Sequence, residues 1–342
     1  MTGDALPLRS GALILSAAVR FASCLVVLLV GCGARTELNV PDTDADVPDA
    51  APVSPEPRVV FSLFDATDSL RLYVIGADGT GFRPLNLPDD RAVRPAFTRD
   101  GLHLLYVVPG LREGDASSLV ALDLRTRATR TIVRGVGLSS LAVSPDRLTV
   151  AYTAGLDLRA VGWDGANDRL LVQGPYNLGC CQWGYGSPAF AADPLTVFFA
   201  TAGRFERIRV DATRRQQLLT EDFRRIIFPN VAVSPDNTRV AAAVACADGN
   251  RTLRTWAVAS LPAACETGEV VTAIETAIVG NMANNPAWGE SGEIVYQQSN
   301  DLFVVDARGG TARNLTASIT GGAGTSTYAV YPAWAPRGVA LP

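Results

Sequence analysis

Few residues of this chain could do catalysis by familiar means. His103 is the only histidine among 342 residues. It sits in the strand-like run LHLLYVV, where an isolated imidazole is an ordinary structural or surface residue. No Gly-x-Ser-x-Gly elbow supplies a serine nucleophile beside it. All 30 basic side chains are arginine, so there is no lysine for a Schiff base. No glycine-rich phosphate loop follows a strand and opens a helix. The cysteines lack the paired Cys-x-x-Cys spacing of a zinc site and have no histidine near them. We therefore expect neither an enzyme nor a metal or cofactor site, and binding is the chemistry left to consider.

Six polar residues recur at equivalent places: Arg94, Ser140, Ser187, Asn230, Asn285 and Tyr331. Each stands immediately before a Pro-Ala-aromatic signature or a degraded copy of it. The set contains hydroxyls, amides and one guanidinium, but no carboxylate. Such a group suits a peptide backbone, a carboxylate or a sugar better than a metal ion. Alternatively, these side chains only hydrate a channel or cap adjacent turns. Trp183 and Tyr185, in CCQWGYGSPAF, could stack on a sugar or a partner, or could plug one end of a sheet.

What would bring the six together is a repeat. Its clearest copy is Asn285–Ala307, and its first-strand marker falls at Phe97, Val143, Phe190, Val233, Trp288 and Trp334. The intervals are about 43 to 55 residues, the length of a four-stranded propeller blade. Apolar strands such as LHLLYVV and LTVAYTA follow, read here as alternating with a period of two and bounded by Gly, Pro, Asp and Asn. In turns such as SPDR and SPDN, Pro presets φ, Asp bonds its own backbone, and the next residue accepts positive φ.

The sixth copy, Tyr331–Gly338, has almost no chain after it, and the first strand, Arg58–Phe64, has no inner strand before it. Pairing the two ends completes one blade and closes a ring, which removes open sheet edges. The expected fold is all-β: a six-bladed β-propeller over residues 58–342, closed by its N- and C-terminal strands. The inner strand of each blade then lines a channel, and the six polar residues lie at one mouth. Two stretches read as insertions at blade ends, Glu266–Asn284 and the Gly/Ser/Thr-rich Ser318–Thr327.

These repeats resemble those of the TolB-like β-propeller family over about residues 58–342. The resemblance implies a non-catalytic module that binds a protein or peptide, with envelope partners such as peptidoglycan-associated lipoproteins. A carbohydrate-binding or sensor propeller is the alternative. Propeller-bearing peptidases resemble the chain only in the ring, since their catalytic groups reside on a separate hydrolase domain.

Residues 1–31 read as a lipoprotein signal peptide. Arg9 and Arg20 precede the apolar run Phe21–Val30, too short to span a bilayer. The run ends in a lipobox-like Leu29-Val30-Gly31-Cys32, making Cys32 the residue that acquires lipid. Residues 32–57 form an acidic Pro/Ala-rich tether, expected to be disordered because it has too little apolar surface to offset its ordering entropy. Gly33 after Cys32 points, by analogy with enteric sorting, to the outer membrane, on its periplasmic face or at the cell surface. The formal charge of −4 resides mainly in the tether. The near-neutral propeller lacks the basic footprint of a nucleic-acid binder, and a monomer is expected. In an exported domain disulfides persist, and Cys246–Cys265 is the expected bond. Cys180 and Cys181 are adjacent, and sequence alone leaves three pairings open among the four.

Overall fold

The computed structural model describes residues 56–65, 70–112, 114–174, 187–201, 204–219, 226–245, 251–259, 269–274, 285–321 and 326–342. Cys32, Cys180, Cys181, Cys246 and Cys265 lie outside the described residues, as do Trp183 and Tyr185. No helix among the described residues is long and apolar enough to cross a membrane.

The described residues form six four-stranded antiparallel sheets. The first three strands, β1 (Arg58–Phe64), β2 (Leu70–Gly76) and β3 (Arg83–Pro84), form the outer part of one blade. Five blades then follow, each laid down from its inner strand outward. Blade one runs β4 (Val93–Phe97), β5 (His103–Val108), β6 (Ala116–Asp123) and β7 (Thr129–Val136). Blade two runs β8 (Leu138–Val143), β9 (Thr149–Ala154), β10 (Asp157–Gly162) and β11 (Arg169–Val172). Blade three runs β12 (Ala189–Phe190), β13 (Thr196–Thr201), β14 (Arg204–Arg209) and β15 (Gln216–Leu219). Blade four runs β16 (Ile226–Val233), β17 (Arg239–Ala245), β18 (Arg251–Ala257) and β19 (Glu269–Ile274). Blade five runs β20 (Ala287–Trp288), β21 (Glu293–Gln298), β22 (Asp301–Asp306) and β23 (Arg313–Asn314). The last strand, β24 (Tyr328–Ala335), turns back to pair with β1 as the inner strand of blade six. Its register sets Arg58 opposite Ala335, Val59 opposite Trp334 and Val60 opposite Ala333. Consecutive inner strands pack against one another in a closed circuit, from β24 through β4, β8, β12, β16 and β20 back to β24.

Two segments read as insertions contain regular structure. Glu266–Asn284 supplies β19, the outermost strand of blade four, and Ser318–Thr327 begins within a short helix, α1 (Ala317–Thr320). The strand periodicity also differs from expectation. β5, β9 and β21 are buried at four consecutive positions, not at alternating ones. The reason is that each blade is sandwiched between two others, so both faces of its middle strands need apolar side chains.

Six apolar clusters, one between each neighbouring pair of blades, make the core. Along β1, Val59, Phe61 and Leu63 face blade five, while Val60 faces blade one. Side chains alternate along a strand, so Ser62 shares the Val60 face.

The turns leaving the inner strands repeat one hydrogen-bond pattern. Thr98 Oγ1 donates to Asp100 Oδ1 (2.7 Å), Ser144 Oγ to Asp146 Oδ1 (2.6 Å), and Ser234 Oγ to Asp236 Oδ1 (2.5 Å). The next residues, Gly101, Arg147 and Asn237, take φ of 70°, 60° and 59°. Arg147 has a Cβ to accommodate there, at a cost of roughly 1–2 kcal/mol. Its guanidinium in turn reaches the neighbouring turn and pairs with Asp100 at 2.8 Å.

Phe61 is fully buried where the closing blade meets blade five. Phe61→Ala should lower folding stability by about 3–5 kcal/mol, measured as a shift of the urea unfolding midpoint. A loss below about 1 kcal/mol would mean that this seam is not close-packed.

Candidate functional site

The chain brings the six repeat-start residues to one mouth of the channel, where they form a hydrogen-bonded arc. Arg94 Nη1 donates to Ser140 Oγ (3.2 Å), and Ser187 Oγ donates to the same Ser140 Oγ (3.4 Å). Ser187 also donates to Asn230 Oδ1 through its hydroxyl (3.0 Å) and its backbone N–H (2.9 Å). Asn230 Nδ2 donates to Asn285 Oδ1, and Asn285 Nδ2 donates to Gln297 Oε1 (2.8 Å). At the other end, Arg94 Nη2 donates to Tyr331 Oη (2.7 Å), with its guanidinium carbon 3.8 Å from the Tyr331 ring centroid. The serines and asparagines therefore spend much of their hydrogen-bonding capacity on each other.

Arg94 is the one charged member of the six. Both Arg94 and Tyr331 have positive φ, 54° and 52°, a region that side-chain-bearing residues seldom occupy. The ladder between β4 and β5 slips between Val93 and Ala96, so Arg94 sits in a bulge. Its N–H, freed from that ladder, donates to Ser62 Oγ at 3.0 Å. Ser62, wholly buried on β1, thus positions Arg94 from the adjoining blade. Burial lowers the Arg94 pKa below the ordinary arginine value, and Tyr331 opposes this only in part. Arginine still keeps its proton. Part of its surface remains open, because the side chain lines the lumen.

Ser62, Thr153 and Gln297 are site residues missed by reading the inner strands alone. Thr153, also wholly buried, accepts the Ser140 N–H at 2.9 Å and shares a hydrogen with Ser139. Each is the polar residue within the buried run of its strand, in RVVFSLF, TVAYTA and EIVYQQ, and that interruption was the available signal.

Below the arc lies a cavity of about 240 Å³, walled by the repeat prolines Pro95, Pro188, Pro286 and Pro332 and reaching Phe97, Trp288 and Trp334. The same three aromatics border a wider vestibule of about 490 Å³ at the opposite end, with Phe190, Arg99 and Glu290. The vestibule mixes these aromatics with the polar groups of Thr98, Ser234 and Asn237. Trp334 Nε1 donates to the Ala287 carbonyl (3.0 Å), tying blade six to blade five. Gly289 permits that approach, since a Cβ there would stand 2.9 Å from the indole.

His103 is not part of this channel lining. Its Nε2 is 3.9 Å from Asp123 Oδ2, and its ring meets Trp163 edge-on at 5.1 Å. Arg215 pairs with the buried Glu206, Nη2 to Oε1 at 3.0 Å. Among the described residues, no group of three His, Cys, Asp or Glu is placed to hold a metal ion.

No protein-family model matches the chain, and no curated protein matches it. Solved structures do. TolB from Acinetobacter baumannii is 15% identical with a TM-score of 0.63, over 82% of this chain and 67% of that one. The crystal structure of a nidogen/laminin complex is 12% identical with a TM-score of 0.56, over 82% of this chain and 99% of that one. At such identities the likeness is one of fold, and the fold is a TolB-like six-bladed β-propeller.

Proposed function

We propose that this protein is a non-catalytic binding propeller of the cell envelope. In this reading it receives a protein or peptide partner at the polar mouth, and lipid on Cys32 holds it to the outer membrane. The observation that carries the reading is the convergence of all six blades on one mouth, where Arg94, Ser140, Ser187 and Tyr331 border an open cavity. Pockets with a few convergent polar groups over an apolar wall are the usual form of a recognition site. A propeller of similar fold was solved in a complex of nidogen with laminin, a fold-level analogy for protein binding. The carbohydrate-binding reading rested on Trp183 and Tyr185, which lie outside the described residues.

A photo-crosslinking amino acid at Ser187, compared with one at the exposed outer-strand residue Arg134, tests the mouth. In cells of the native host, Ser187 should give a protein adduct of one discrete mass, and Arg134 should not. Matching adducts at both positions, or none at Ser187, would contradict the reading. The anchor is checked separately with a palmitate analogue, which should label the wild type but not Cys32→Ser. Equal labelling of both would remove the lipid from the proposal.

A further inference from the structure

We infer that Arg94 is a carboxylate-binding site, set to receive one carboxylate on a short apolar stem that enters the channel lumen. The inference rests on the reading of the channel as a recognition site and names the chemistry recognised there.

A guanidinium carries five N–H donors. Two of those of Arg94 go to neutral hydroxyls, Ser140 Oγ and Tyr331 Oη. Among the described residues no carboxylate lies within ion-pairing distance of it. That situation is unusual, because a charge taken out of water is normally paired or neutralised, and arginine cannot shed its proton. The lumen that it partly faces leaves water or an anion from outside, and a carboxylate meets the charge and the free N–H donors together. The side chain is also held in place: the buried Ser62 hydroxyl accepts the Arg94 N–H, and the left-handed backbone recurs at Tyr331, the equivalent place of the last repeat.

The surroundings narrow the anion. The rest of the arc is neutral, so one guanidinium faces one negative charge, and its planar fork matches the two oxygens of a carboxylate. Beneath it the wall is proline and tryptophan, which suits a hydrocarbon stem. The cavity of about 240 Å³ falls below the roughly 300–1,000 Å³ that drug-sized ligands occupy. It admits a single acidic side chain, a chain terminus or a short free acid, not a folded segment. An uncharged sugar would leave the guanidinium without its counter-ion.

The test uses the intact protein with ¹⁵N-labelled tryptophan, titrated with butyrate and with the isosteric butyramide. Butyrate should shift the Trp288 and Trp334 indole signals saturably, and butyramide should bind at least about tenfold more weakly, the difference a charge-assisted pair makes. Arg94→Gln should abolish the preference for the acid. Arg94→Lys, which keeps the charge but loses the fork, should retain a weakened response. The surface control Arg134→Gln should behave as wild type. Two peptides then separate the sources: one capped at both ends with a single internal Glu, the other with a free C-terminal carboxylate and no acidic side chain. Equal responses to acid and amide, or a full butyrate response in a folded Arg94→Gln, would overturn the site. An intact butyrate response without protein crosslinks at Ser187 would discard the protein partner and keep the carboxylate site. Crosslinks without acid selectivity would do the reverse.

Discussion

The pairing of β24 with β1 is the interaction on which the rest of this molecule depends. Without it β1 presents an open edge, blade six loses its inner strand, and blades one and five each lose an apolar neighbour. With it, six similar sheets surround a common axis and no flank of the ring stays unpartnered. Closure also creates the mouth, since Tyr331 arrives from one end of the chain and Arg94 from the blade beside the other.

Sandwiching each blade between two others has a chemical consequence. A strand buried on both faces can lend a side chain to either neighbour. Ser62 sits on the face of β1 that looks toward blade one, and its hydroxyl there replaces the ladder partner that Arg94 loses in its bulge. The left-handed turn of Arg94, its place against Tyr331 and its separation from any carboxylate among the described residues are thus results of packing.

Much of the architecture was legible beforehand, because the information was local. Turn chemistry at Thr98–Gly101, Ser144–Arg147 and Ser234–Asn237 marks the inner-strand ends, and their spacing indicates four-stranded blades. The unpaired first and last strands imply closure. Less legible were features that arise only between blades. The hydrogen-bonded arc joins residues that in sequence share a position but no contact. Uninterrupted burial in β5, β9 and β21 reflects stacking on two sides, which a simple alternation misses. β19 was hidden in what read as an insertion, although its run EVVTAI is β-branched and apolar and was the available signal. Arg147 takes a conformation expected of Gly or Asn, and its side chain pairs with Asp100 on the preceding blade.

Amide hydrogen exchange on the intact protein tests the closure most directly. If the two ends share one sheet, the amides of β1 and β24 that bond across it will exchange as slowly as those of β5, in the same global unfolding. If the amides of β24 exchange orders of magnitude faster than those of β5, the ring is not sealed there, and the mouth assembled around Arg94 and Tyr331 has no fixed geometry.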